Sequence, residues 1–180
     1  NYRMSNVIAG VVRGQLPHLE EHIAQKKQIY ERYQKRLEET GLPVRMNPFD
    51  GEVSEPNYWL SCLLIEASAM CRQVRGERES LYVSESGKSC PEEILGALAA
   101  FHAEGRPIWK PMHLQPIYRA NPFVTVEGNG RGRTNAYLAG GGTADAGADI
   151  FARGMCLPSD NKMTEAQQEK VIEIVTRCFR

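Results

Sequence analysis

The chain has 180 residues, 42% hydrophobic and 24% charged, with 22 Lys plus Arg matched by 22 Asp plus Glu. That length suits one ordinary domain or one domain with a long appendage, and the apolar content is enough for a core. Zero formal charge argues against a dedicated nucleic-acid binder, and no apolar stretch approaches the roughly 20 residues that span a bilayer.

Ser5 stands where it can cap a first helix carrying Val7, Ile8, Val11, Val12 and Leu16 at helical spacing. Pro17 then marks a kink or a new start. Leu19, Ile23, Tyr30, Tyr33 and Leu37 form the stripe of a long amphipathic helix that ends at Gly41, with Pro43 just beyond. Residues 58–65 form a near-continuous apolar run of strand length. Residues 67–89 are polar and carry no clear period. Pro91, Glu92 and Glu93 open a helix through Ile94, Leu95, Leu98 and Phe101 that is predicted to stop at Gly105. Ile108 and Trp109, between Pro107 and Pro111, allow only a short edge strand. Residues 121–143, with Gly128, Gly130, Gly132 and Gly140–Gly142, have the composition of a mobile surface loop. A short helix is predicted over Ala144–Arg153, then an extended Cys156–Ser159. A capping box of Thr164 and Gln167 opens a last helix with Val171, Ile172, Ile174, Val175 and Phe179 on its apolar face. The order fits an α+β fold, a two-layer α/β sandwich with helices covering a few strands.

The five cysteines are odd in number and lack zinc-knuckle spacing, so neither a disulfide framework nor a metal site is expected. Cys62 reads as a small buried hydrophobe, and the usage fits a reducing, cytoplasmic setting. The glycine clusters do not match a P-loop. His18 and His22 lie one turn apart without an accompanying carboxylate motif, and His102 falls on the polar side of its helix. His113 is different, because it sits in a proline-fixed segment, Arg106 to Pro116, that is rich in donors and carries Trp109. Between residues 106 and 133, Arg106, Lys110, Arg119, Arg131 and Arg133 oppose only Glu127, an excess of four positive charges. Such a patch suits a phosphate or diphosphate, or else is a solvated loop with incidental charge. Asn1, Arg3 and Asn6 cluster before a helix N-terminus, where free N–H groups favour an anion.

Three motifs in order carry a family resemblance: Asn1–Asn6 with the helix and Gln15–Leu16 that follow, Arg106–Pro116, and Gly154–Ser159 with Thr164 and Gln167. Together they resemble the DegT/DnrJ-type family of PLP-dependent nucleotide-sugar aminotransferases. The resemblance covers residues 1–65, 94–120 and 147–180, while 67–92 and 121–146 depart from the usual pattern.

This resemblance implies the C-terminal portion of a fold type I aminotransferase. Residues 1–41 would link to a large domain and contribute to a homodimer interface, and 42–180 would form the small domain. The cofactor would be pyridoxal 5'-phosphate, and its lysine would lie upstream, since no lysine here has a matching context. The chain alone would then be inactive. Asn1 matches a cofactor-binding asparagine that reaches the phosphate in the neighbouring subunit. Arg3 matches an arginine for the carboxylate of the amino donor, usually glutamate. His113 matches a histidine lining the sugar pocket, with Trp109 and Lys110 as further substrate-binding neighbours. The implied reaction moves an amino group from glutamate to a nucleotide-linked keto-sugar for surface-polysaccharide or glycan synthesis. It involves no nucleic acid and no membrane. A non-catalytic binding module derived from the same fold is the alternative.

Overall fold

The computed structural model describes residues 3–76, 80–118, 120–125, 128–131 and 145–180. Ser5 accepts a hydrogen bond from the Ile8 amide at 3.3 Å and starts α1 (Asn6–Gln15). A 3₁₀ turn over Leu16–His18, with Pro17 in its first positions, leads into α2 (Leu19–Thr40). Gly41 closes α2 with φ 68°, a left-handed conformation that glycine takes without steric cost. Next come β1 (Val44–Met46), β2 (Ser61–Ile65) and a hairpin of β3 (Gln73–Arg75) with β4 (Ser80–Tyr82). Then follow α3 (Pro91–Ala100), the two-residue β5 (Arg106–Pro107) and a hairpin of β6 (Pro122–Thr125) with β7 (Gly128–Arg131). The chain closes with α4 (Ala146–Arg153), β8 (Gly154–Leu157) and α5 (Glu165–Arg177).

The main sheet is antiparallel throughout, in the order β1-β2-β8-β5. Alternation along β2 sends Leu63 and Ile65 to one face, where they join Met155 and Leu157 of β8. That face packs against Ile29, Tyr30, Tyr33 and Leu37 of α2, Ile94 and Leu98 of α3, and the apolar stripe of α5. The predicted α+β two-layer arrangement is the one observed. The capping box also forms, with the Gln167 amide bonded to Thr164 Oγ1 and the Thr164 amide bonded to the Gln167 side chain.

Several elements differ from expectation, among them β8, which lies at Gly154–Leu157 rather than Cys156–Ser159. The strand predicted over 58–65 begins only at Ser61, because Tyr58 has φ 54° and Asn57 Oδ1 accepts the Trp59 amide in a tight turn. Helix α3 stops at Ala100 rather than Gly105, with His102 in the left-handed region at φ 58°. The edge strand lies at Arg106–Pro107, one turn of the pleat before Ile108 and Trp109. Part of the predicted loop 121–143 is the β6–β7 hairpin, in register from Pro122↔Arg131 to Thr125↔Gly128, and residues 132–144 lie outside the described residues.

Candidate functional site

Between β5 and β6 the chain runs along the N-terminal end of α4, and proline sets its course. Pro111 precedes a 3₁₀ turn, Met112–Leu114, that buries Leu114 in a small cluster with Ala148 and Phe151 of α4. The Pro111 ring packs beside Gly147, its Cγ 3.4 Å from where a Cβ would stand, an ordinary contact distance. This packing delivers His113 to Asp145. His113 Nε2 pairs with Asp145 Oδ2, and both side chains are largely buried, at 17% and 11% exposure. The other oxygen, Asp145 Oδ1, accepts the Ala148 amide at 2.9 Å and caps α4. A single carboxylate thus fixes the histidine ring and starts the helix.

The far end of α4 is held from the hairpin that the sequence left unread. Gln73 Nε2 donates to the Ala152 carbonyl at 2.9 Å, and Arg75 donates to the Phe151 carbonyl. The Arg75 guanidinium also lies 4.1 Å from the centre of the Phe151 ring. Carbonyls at a helix C-terminus lack intrahelical donors, so these contacts satisfy them and place a cation at the negative end of the dipole.

Beside His113, a recess of about 220 Å³ is lined by Met112, His113, Tyr118 and Asn121. A larger recess of about 580 Å³ opens elsewhere, between the turn after α3 and α5, and contains none of the predicted site residues. Trp109 is 63% exposed and meets the equally exposed Trp59, with ring centroids 5.9 Å apart. Lys110 is half-buried, and its carbonyl accepts from Gln115 Nε2 at 3.3 Å. Trp109, Lys110 and His113 therefore share one short segment. Arg3 is exposed just before α1 and has no ion-pair partner among the described residues, while Asn1 lies outside them.

The positive patch needs revision. Arg106 bonds Glu104 at 2.6 Å, so counting charges from residue 106 left out its nearest counter-charge. Arg119 and Arg133 lie outside the described residues, as does the side chain of Arg131. His18 and His22 stack with ring centroids 6.1 Å apart, and no group of three or more His, Cys, Asp or Glu among the described residues could hold a metal. No described helix is long and apolar enough to cross a membrane.

Asp145 is the residue that the sequence reading missed. Its signal was local: an acidic N-cap residue directly before the small-residue run of α4.

Residues 1–176 match the DegT/DnrJ/EryC1/StrS aminotransferase family. The chain belongs to that family. It is 32% identical over 179 residues to EpsN of Bacillus subtilis (strain 168), whose name describes a pyridoxal phosphate-dependent aminotransferase. The match takes in 99% of this chain and 37% of EpsN. GDP-perosamine synthase of Caulobacter vibrioides is 24% identical over 118 residues, 66% of this chain and 27% of that protein. Among solved structures, the PLP form of Spr1654 from Streptococcus pneumoniae, a sugar aminotransferase by name, superposes with a TM-score of 0.69. Identity there is 16%, over 98% of this chain and 36% of that one. That likeness is one of fold. The chain thus spans between about a quarter and little more than a third of the length of the relatives it matches.

Proposed function

We propose that these residues are the C-terminal portion of a PLP-dependent aminotransferase that moves an amino group from glutamate to a nucleotide-linked keto-sugar. The family match along almost the whole chain carries this reading. The names of its relatives, one a pyridoxal phosphate-dependent aminotransferase and one a GDP-perosamine synthase, support the cofactor and the sugar substrate. The complete protein would be a cytoplasmic homodimer, with residues 1–41 linking to a large domain and 42–180 forming the small one.

The donor set fits the cofactor and the donor. The opening segment holds an amide, Asn1, suited to a phosphate oxygen, and an exposed guanidinium, Arg3, whose fork can pair with both oxygens of a carboxylate. Pyridoxal phosphate, when bound, supplies the electron sink for the transfer. Four of the seven lysines have partners here: Lys27, Lys88 and Lys170 face glutamates, and Lys26 donates to the Ser159 carbonyl. In this reading the lysine that anchors the cofactor lies in the large domain. His113, oriented by Asp145, offers a ring to the sugar. Trp109 gives an apolar face, and Lys110 a charge for the diphosphate.

The two half-reactions separate these roles. In the complete protein, His113→Ala should slow amino transfer to the keto-sugar by roughly tenfold or more, about 1.4 kcal/mol, and spare the glutamate half-reaction. Arg3→Ala should show the reverse, with cofactor absorbance retained. Equal loss in both halves would reduce His113 to a structural element. A complete protein that retains no cofactor would favour the binding-module reading.

A further inference from the structure

The sheet contains two thiols that neither the family match nor the proposed transfer uses. Cys62 of β2 and Cys156 of β8 stand opposite each other in register, 94 residues apart in sequence. Their sulfur atoms are 3.8 Å apart. Which kind of antiparallel pair they form can be read from the backbone. The Cys62 carbonyl accepts the Asn47 amide, and the Cys62 amide donates to Asn47 Oδ1. Both polar groups of Cys62 are thus spent on the side of β1. Toward β8, Cys62 and Cys156 form a non-hydrogen-bonded pair, the type whose Cα atoms lie closest, about 4.5 Å apart. Disulfides accept Cα separations from about 4.4 Å upward. Only side-chain rotation is needed to bring the sulfurs together, without moving either strand.

We propose that Cys62 and Cys156 form a reversible dithiol–disulfide site that staples the two central strands of the sheet. The oxidant is a low-molecular-weight disulfide of the glutathione type. Half-buried Cys62 is the entry point, and Cys156, 3% exposed, is the resolving thiol. The Cys62 thiolate attacks one sulfur of the small disulfide, forms a mixed disulfide and releases one thiolate, which takes up the proton lost by Cys62. Cys156 then gives up its proton and attacks the Cys62 sulfur, and the second small thiol leaves with that proton. Two electrons pass from the protein to the oxidant, yielding one protein disulfide and two small thiols.

The local chemistry agrees with this order. A hydrogen bond from the Cys156 thiol favours a thiolate on Cys62, and the same contact, together with burial, holds Cys156 protonated longer. The other cysteines are less suited to entry. Burial pushes Cys71 up to about 12 and Cys178 up to about 11, and raises Cys90 as well. The staple also touches the candidate site by connectivity. On its other side Cys156 is in register with Arg106, where the segment bearing Trp109, Lys110 and His113 begins.

The test uses the complete protein in excess glutathione disulfide at neutral pH, followed by alkylation, unfolding, digestion and mass spectrometry. The expected product is a Cys62–Cys156 cross-linked peptide pair that dithiothreitol reverses, with Cys71, Cys90 and Cys178 alkylated after unfolding. The oxidised protein should unfold at higher urea concentration than the reduced one. Cys62→Ser and Cys156→Ser should each abolish the cross-link and that shift. Three outcomes overturn the proposal: Cys62 recovered as free thiol, Cys62 held only as a glutathione adduct beside free Cys156, or a cross-link joining other cysteines or two chains.

Discussion

Asp145 does two jobs with one side chain, and its substitutions tell them apart. Asparagine is as good an N-cap as aspartate, whereas alanine loses the cap at about 1 kcal/mol. Asp145→Asn should therefore leave the urea midpoint near that of the parent, while Asp145→Ala lowers stability by roughly that amount. Both remove the negative charge beside His113. Both variants should also raise the KM for the keto-sugar in the sugar half-reaction, because the His113 ring loses the oxygen that orients it, whereas only the alanine variant is uncapped. An Asp145→Asn protein whose KM for the keto-sugar equals the parent's would remove the positioning role and leave the cap. The sequence showed His113 because prolines and donors crowd around it. Its partner was invisible there, because 32 residues and the whole glycine-rich stretch separate the two.

At the scale of elements, legibility followed periodicity. The helices α1, α2 and α5 were readable because each has a cap signature and an apolar stripe longer than two turns. The hairpin β3–β4 was not, since three-residue strands give no period and its Gln73 and Arg75 look like ordinary polar surface. Only the fold reveals them as donors to the end of α4. The same helix carries a pH-sensitive brace. Arg153 donates to the Ile65 carbonyl and bonds Asp149, holding that carboxyl below the usual carboxylate range. A lowered folded-state pKa gives stability that is full above the unfolded value of about 3.9 and is lost as pH falls through the folded one. Because Asp149 is 51% exposed, the gain should be at most about 1 kcal/mol. Asp149→Asn should show that deficit at pH 7, and acid titration of both proteins should make their stabilities converge as pH falls from about 4 through the folded value. A deficit that persists at pH 2 would assign the loss to packing.

For the whole molecule, the distribution of burial matters more than its total. No residue of α1 is buried, and Val7, Ile8, Val11 and Val12 are each about half exposed or more. The second half of α2, by contrast, sits in the main core through Ile29, Tyr30, Tyr33 and Leu37. Removing residues 3–18 from the 180-residue chain should therefore leave its urea midpoint unchanged, because no buried apolar area is lost from the body. A lower midpoint in the truncated chain would show that α1 contributes to the fold of this portion rather than serving a surface beyond it.

The margins of the sheet have their own consequence. Strand β5 is two residues long and includes Pro107, which has no amide proton to offer an incoming strand. On the opposite margin, β1 spans three residues and lies between Pro43 and Pro48. An extended peptide seeking to lengthen this sheet would find at most a few consecutive backbone donors on either side. Templated growth from chain to chain, the first step toward fibrils, is thereby blunted at both ends of the ladder, although β2 and β8 between them are largely apolar.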